Sequence, residues 1–321
     1  MNYLVFSILL SSVASPAIGG ICSFELLARL ARGKNWPDKN YIIVSKNKSG
    51  SVLIDGIPAK EFEVPNTHNS GGRHKIMYEF RHDNKVYLVK VMSEWTAHPD
   101  VFDQQINGMK LGEEFGGPKI YRVGKISCLD DEVRRFVEME KLFPNDPNTF
   151  TLKAMSKKRV KDRLNKNPIL YEKMSALIIK AMEHRVAPGA DIDFIFSKNE
   201  AAFIDTDGFS YYGQYRIDEK FVASVESLCE NFKVYSNPEG AKFFIKSFLG
   251  QLKRSQSLSD TDKSQILRYP LFIRDNFFKN TLLEIVPPGT PIPVGASNRE
   301  IVSTIMGFQI PPDDGPTRFD P

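Results

Sequence analysis

The sequence predicts an α+β protein in which a strand-rich part is followed by a mainly helical part. Two strand-like runs, at 76–80 and 86–92, are separated by a short polar turn, as in a β-hairpin. Further along, apolar residues recur at helical spacing within 170–181, 221–232 and 240–252. The chain has 321 residues, of which 41% are hydrophobic, which is enough to build a substantial core.

Composition and charge exclude several classes of protein. A net charge of +4, from 43 basic and 39 acidic residues spread along the chain, is too small for a nucleic-acid-binding surface. The proportions of charged and hydrophobic residues exclude a wholly disordered, collagenous or polytopic membrane chain. Cys22, Cys128 and Cys229 show no C-x-x-C spacing, so we expect neither a zinc cluster nor a disulfide framework.

The first 24 residues carry no charged side chain and include an apolar run at 3–10. A helix-breaking proline and the small residues Ala17 and Gly19 follow, which favours a secretory signal peptide over residues 1–19. Its cleavage would make the protein secreted or periplasmic, without a stable membrane anchor. A membrane anchor and a buried N-terminal helix remain alternatives, because the basic start typical of a signal peptide is absent.

Apolar periodicity and proline content divide the remaining chain into four segments. We predict an N-terminal extension at 20–61, a β-rich segment at 62–143, a helical segment at 144–286 and a proline-rich, extended or disordered tail at 287–321. Within the β-rich segment, a helix is expected from 101 to 115, ended by Gly116-Gly117-Pro118, and two further strands are expected at 119–124 and 135–139.

Four aspartates surround a predicted hairpin in the helical segment. Apolar runs at 194–196 and 201–204 flank a tight turn, so Asp193 and Asp205 should meet at the open end of the hairpin, with Asp191 and Asp207 two residues away. Carboxylates this close repel each other unless a cation lies between them, and oxygen ligands suit Mg²⁺ or Mn²⁺. The alternative is that these residues only cap the hairpin and the following turn.

Lys90 and a glycine-containing loop are the second and third candidates. Strand alternation places Lys90 on the same side as Leu88 and Met92, where a cation requires an anionic partner. An edge-strand lysine that extends to water is the alternative interpretation. Gly71 and Gly72 lie in a polar loop 18 to 19 residues earlier, and glycines allow backbone N–H groups to approach phosphate oxygens. The favoured alternative is an ordinary loop without a ligand.

Taken in order, these segments resemble the protein-kinase-like fold superfamily, which includes protein kinases and the aminoglycoside and choline phosphotransferases. The resemblance spans residues 62–285. It implies a two-lobed fold, with a small antiparallel β-sheet and one helix in the first lobe and a mainly α-helical second lobe that carries the aspartate hairpin.

The resemblance also implies a divergent phosphotransferase that binds ATP with Mg²⁺ or Mn²⁺. Its acceptor would be an unidentified protein or small molecule. The implied roles are phosphate contact by Gly71, Gly72 and Lys90, adenine contact through the backbone of Glu138 and Met139, metal binding by Asp193, Asp205 and Asp207, and catalysis by Asp191 and Asp205. In this scheme Asp191 positions the acceptor hydroxyl.

Other functions are compatible with the same residues. His184-Arg185-Val186 looks like the family's His-Arg-Asp with the aspartate missing, which favours a catalytically inactive kinase-like binding module. The run from Phe203 to Phe209 also looks like the first motif of haloacid-dehalogenase-type phosphatases, with Asp205 as nucleophile. An unrelated α+β protein is the last alternative.

Overall fold

A computed structural model describes residues 41–64, 75–92, 99–127, 133–152, 158–190, 192–212 and 221–312. The chain divides into two compact units. The first holds the described residues up to Asp103 together with Lys119–Lys141, and the second holds Gln104–Pro118 and the chain from Leu142 onward. The predicted signal peptide, at 1–19, lies outside the described residues.

The first unit contains a closed β-barrel of seven strands in the order β1-β2-β3-β4-β5-β7-β6. The strands are β1 (Tyr41–Lys46), β2 (Val52–Ile54), β3 (Ile57–Val64), β4 (Lys75–His82), β5 (Lys85–Val91), β6 (Ile120–Ser127) and β7 (Val133–Glu140). Neighbouring strands pair antiparallel except β1 and β6, which are parallel and close the barrel. Its interior is filled by Ile42, Val44, Ile54, Tyr78, Phe80, Val89, Val91, Ile126 and Phe136.

The barrel contradicts the predicted kinase-like, two-lobed fold with a small open sheet. The difference arises from the supposed N-terminal extension, because residues 41–64 supply the three strands that close the barrel. A local signal for two of them was present in the sequence. Asp55-Gly56 joins β2 to β3 with positive φ at both residues, 48° and 83°, as a tight hairpin turn requires.

The hairpin predicted over 76–92 is confirmed as β4 and β5, which pair antiparallel. Asp83 and Asn84 form its turn with φ of 48° and 61°, conformations that these two residue types tolerate.

The predicted helix is also confirmed, as α1 (Pro99–Glu114). The helix ends at Glu114, and Gly116, two residues later, has a φ of 94°, which is accessible to glycine.

The second unit is mainly helical, as predicted. Its further helices are α2 (Lys158–Asn165), α3 (Ile169–Glu183), α4 (Ala223–Val234), α5 (Pro238–Arg254), α6 (Asp260–Ile266), α7 (Leu271–Arg274), α8 (Lys279–Ile285) and α9 (Asn298–Met306). Two small sheets accompany them, with orders β11-β10-β8 and β12-β9. Their strands are β8 (Phe150–Thr151), β9 (Val186–Ala187), β10 (Asp193–Phe196), β11 (Ala201–Ile204) and β12 (Ser210–Tyr211). In the described part of the chain, every helix is too short or too polar to cross a bilayer.

The prediction of an extended or disordered tail from residue 287 is wrong for α9. Ser297 and Glu300 form a capping box at its start, and Ile301, Val302 and Met306 are buried. The prolines of this segment all lie outside the helix, at 287–293 and 311–321, so they do not interrupt its hydrogen bonds. Residues 313–321 lie outside the described residues.

Candidate functional site

The aspartate hairpin is confirmed in the second unit. Strands β10 and β11 pair antiparallel, with Asp193 opposite Ile204 and Phe194 opposite Phe203. The two phenylalanines are fully buried, with ring centroids 4.8 Å apart, so core packing determines the register. Asp193 therefore begins one strand and Asp205 directly follows the other, at the open end of the hairpin.

Asp193 is a buried carboxylate, with an exposed fraction of 3%. Its Oδ1 accepts a hydrogen bond from the backbone N–H of Phe194 at 2.8 Å. A buried carboxylate requires hydrogen bonds or a cation to offset the loss of hydration. Its burial makes Asp193 a stronger candidate for a cation ligand than an exposed aspartate in a turn.

Asp205 has a left-handed backbone, with φ 59° and ψ 48°. This conformation costs a residue with a Cβ atom about 1 kcal/mol, so the surrounding packing must hold it in place. Thr206–Gly208 then form one 3₁₀ turn, closed by a hydrogen bond from Phe209 N to Thr206 O at 3.2 Å. Because of its left-handed backbone, Asp205 ends the extended path of β11, and the chain turns away after it.

Helix α1 and a loop glycine hold this turn from two sides. A Cβ atom on Gly108 would lie 2.4 Å from the carbonyl oxygen of Asp207, and one on Gly112 would lie 2.3 Å from Cβ of Thr206. A Cβ atom on Gly189 would lie 3.0 Å from the carbonyl oxygen of Gly208. The turn that carries Asp205 and Asp207 thus packs directly on backbone, which restricts its movement. Gly108 and Gly112 were not among the predicted site residues, although the sequence shows their i, i+4 spacing on a predicted helix.

The segment after α3 approaches the same turn through a two-stranded sheet. Val186 and Ala187 in β9 pair with Tyr211 and Ser210 in β12. Before β9, Arg185 has a φ of 59° and donates to both carboxylate oxygens of Asp262, at 2.9 and 3.0 Å. The Arg185–Asp262 pair therefore anchors the start of the strand that leads toward residues 189–191.

The pair also predicts a pH dependence of stability. Burial raises the pKa of Asp262, but hydrogen bonds from Arg185 and Ser259 outweigh burial and hold this pKa below its ordinary value. The ionised Asp262 therefore contributes its full stabilisation to the folded protein above the pKa of an unfolded aspartate, about 3.9. This stabilisation is lost as the pH falls through the lower pKa of the folded state.

Asp262→Asn is expected to reduce the free energy of unfolding by about 2 kcal/mol at neutral pH. Urea unfolding at several pH values should show this difference shrinking below pH about 4. Asp260→Asn, on the same helix but with an 85% exposed side chain, is the control and should change little. An equal loss at all pH values would contradict the ionic role of Asp262.

Lys90 lies in the barrel of the first unit and is buried, with an exposed fraction of 7%. Strand β5 pairs with β4 and β7, where Lys90 faces Met77 and Val137. It is not on an edge strand, so the interpretation as an edge-strand lysine that extends to water is wrong.

Glu138 and Met139 lie in β7, which pairs with β5 on one side and β6 on the other. Strand pairing continues past them, because the N–H of Glu140 donates to Lys119 O and that of Lys141 to Val86 O. This arrangement provides no open backbone edge for adenine at residues 138–139. The resemblance implied adenine contact at these two residues because it did not include the barrel strands on both sides of β7.

The side chain of Glu138 instead belongs to a partly buried ionic cluster, in which the side chains of Arg122 and Asp55 are 21% and 12% exposed. Arg122 Nε donates to Glu138 Oε2 at 2.7 Å, and Arg122 Nη2 donates to Asp55 Oδ2 at 3.2 Å. Asp55 Oδ1 in turn accepts from the N–H of Ile43 in β1 at 3.0 Å. Burial lowers the pKa of Arg122, but the two carboxylates outweigh burial and raise this pKa above its ordinary value. The cluster links the Asp55-Gly56 turn to β1, β6 and β7.

The remaining predicted site residues, Gly71, Gly72 and Asp191, lie outside the described residues. Within the described ranges, no group of three His, Cys, Asp or Glu side chains is placed to hold a metal ion. Mg²⁺ is usually held by one or two carboxylates together with phosphate and water oxygens, so Asp193 and Asp205 offer a chemically suitable pair. These oxygen donors fit Mg²⁺ or Mn²⁺ better than a metal that prefers sulfur ligands.

No protein-family model matches the chain, and no curated protein is significantly similar to it. The function is therefore inferred from the residues and their geometry.

Proposed function

We propose that the chain is a phosphotransferase that uses ATP with Mg²⁺ or Mn²⁺ and transfers a phosphoryl group to a protein or small-molecule acceptor. The observation that carries the proposal is the placement of a buried Asp193 and a left-handed Asp205 at the open end of one hairpin. The proposal does not depend on the two-lobed kinase-like fold, which the barrel contradicts.

In this proposal Asp193 and Asp205 hold the metal ion, which when bound would neutralise phosphate charge. Asp207 is left out, because no three carboxylates among the described residues are placed to bind one metal ion. Phosphoryl transfer relies mainly on positioning and electrostatic stabilisation, so ligands held rigidly are worth more than flexible ones. The contacts of Gly108, Gly112 and Gly189 provide that rigidity. Asp191 would orient the acceptor hydroxyl and take its proton.

The nucleotide contacts have unequal support. Lys90, Gly71 and Gly72 enter the proposal through the sequence resemblance alone. Lys90 is buried, and a buried lysine requires an anionic partner. A phosphate group is compatible with that requirement. Adenine contact by Glu138 and Met139 is left out of the proposal, because neighbouring strands pair with both sides of β7.

A second candidate function is an inactive nucleotide-binding module. It is favoured by Val186, which stands where the resemblance calls for the catalytic aspartate and is buried in β9. The antiparallel hairpin gives no support to the phosphatase alternative, since the motif of that family opens an alternating α/β chain.

Asp205→Asn is expected to abolish the metal-dependent part of ATP binding and to reduce phosphoryl transfer. The measurement is the thermal midpoint of the full chain with ATP, with and without Mg²⁺ or Mn²⁺. A ligand at 100 times its dissociation constant stabilises the native state by about 2.7 kcal/mol, which gives a clear shift.

Asp260→Asn is the matched control, because it removes one exposed carboxylate from the same unit. A shift that depends on metal in the wild type and the control but not in Asp205→Asn supports the site. Binding without ATP turnover would favour the inactive module. An equal shift in all three proteins would refute the assignment of Asp205.

A further inference from the structure

Helix α2 carries an unusual concentration of positive charge on the second unit. Residues 158–166 contain five basic side chains and one acidic one, Asp162. Val160 and Leu164 are buried, which fixes the face of the helix that points inward. Arg163 is also held against the protein, with its guanidinium 4.5 Å from the ring centroid of Phe150.

The remaining basic residues point outward. Lys158, Arg159 and Lys166 are exposed, and within the described ranges none of the three has a carboxylate at ion-pair distance. Lys161 Nζ lies 3.4 Å from the carbonyl oxygen of Tyr235 rather than near an acid. We call Lys158, Arg159, Lys161 and Lys166 the basic face.

Two exposed aliphatic side chains flank the basic face. Val234 is 72% exposed and precedes Tyr235, the residue whose carbonyl lies near Lys161. Ile169 is 42% exposed and begins α3 three residues after Lys166. Single exposed aliphatic side chains are common, so it is the position of these two beside the basic face that matters.

We propose that the basic face, with Val234 and Ile169, binds an anionic phospholipid surface. Lysine and arginine attract acidic headgroups, while exposed aliphatic side chains enter the boundary between headgroups and acyl chains. An acidic protein partner would use the charges but would leave the two aliphatic side chains without a role. Asp162 and Glu239, whose Oε2 accepts from Asn165 Nδ2 at 3.2 Å, moderate the attraction. The proposal is independent of nucleotide binding.

The test is co-sedimentation of the full chain with phosphatidylcholine vesicles, with and without phosphatidylserine, in the absence of nucleotide. Binding should require phosphatidylserine and should weaken as salt is added. Each basic residue near the surface contributes about fivefold to the partition constant, so K158Q/R159Q/K166Q should bind about a hundredfold more weakly. Val234→Ser should reduce binding about tenfold, because less apolar surface is buried.

The control variant K246Q/R254Q/K279Q removes three positive charges elsewhere in the same unit and should bind like the wild type. All variants should retain the thermal midpoint of the wild type, because the replaced side chains are outside the core. Absence of phosphatidylserine-dependent binding overturns the proposal. Equal weakening by both triple variants also overturns it, since net charge rather than the basic face would then be responsible. Retained affinity in Val234→Ser would overturn the role of the aliphatic side chain.

Discussion

Gly108→Ala is expected to lower the free energy of unfolding by about 3 kcal/mol, the upper range for overpacking at a tightly packed position. The new Cβ atom would lie 2.4 Å from the carbonyl oxygen of Asp207, and also 3.0 Å from that of Phe209. Backbone atoms cannot move aside as the end of a flexible side chain can, so α1 or the aspartate turn must shift. Urea unfolding followed by circular dichroism measures the change.

Gly250→Ala is the matched control, since Gly250 lies inside helix α5. A Cβ atom there would meet only the end of the Arg254 side chain, at 3.5 Å. This substitution should raise the free energy of unfolding by up to about 1 kcal/mol, because alanine favours the helix. Similar effects of the two substitutions would contradict the close packing of the turn on α1.

Gly108→Ala is also expected to affect the proposed metal site. Displacement of the turn should weaken the metal-dependent ATP response, although the substituted residue carries no ligand atom. Isothermal titration with ATP and Mg²⁺, at a temperature where the variant is still folded, separates this effect from unfolding. An unchanged response in the folded variant would show that Asp205 does not need this support.

Glu138→Ala is expected to lower the free energy of unfolding by about 3 kcal/mol, the lower end of the range for breaking a buried ion pair, because Arg122 loses the nearer of its two carboxylates. Arg122 would keep only Asp55, at 3.2 Å, in place of two carboxylates. The measurement is urea unfolding of the full chain, with the near-ultraviolet signal of the barrel aromatics as a probe.

Two comparisons test whether the burial of the charges is the cause. Glu200→Ala removes a carboxylate whose side chain is 57% exposed and pairs with Lys173, so it should cost less than about 1 kcal/mol. Replacing Arg122 and Glu138 with methionine and Asp55 with asparagine should recover much of the loss, because no unpaired charge then remains in the cluster. A triple variant no better than Glu138→Ala would mean that the cluster acts mainly through its geometry.

Predictions from local patterns were the most successful. The β4–β5 hairpin and the aspartate hairpin follow from apolar runs and short polar turns, which are contacts between residues near in sequence. Helices α3, α4 and α5 follow from the spacing of their buried residues. The position of Asp193 and Asp205 at one open end was therefore predictable without any knowledge of the fold.

Two errors have long-range causes. The barrel closes through parallel pairing of β1 with β6, in which Tyr41 faces Lys125, and no local pattern indicates a partner so distant. The proline content of the tail suggested disorder, but burial of Ile301 and Val302 against the rest of the second unit stabilises α9. In both regions, tertiary contacts outweigh the local signal.

The sequence by itself determined the alternation of strands and helices, the two hairpins and the set of carboxylates that carries the proposed chemistry. These depend on side-chain periodicity and turn residues, which are local properties. Only the tertiary structure decided that the first strands close a barrel, that Glu138 pairs with Arg122, and that Gly108 and Gly112 pack against the Asp205 turn. Those features depend on which distant backbones approach within a few ångströms, and chain periodicity does not encode such distances.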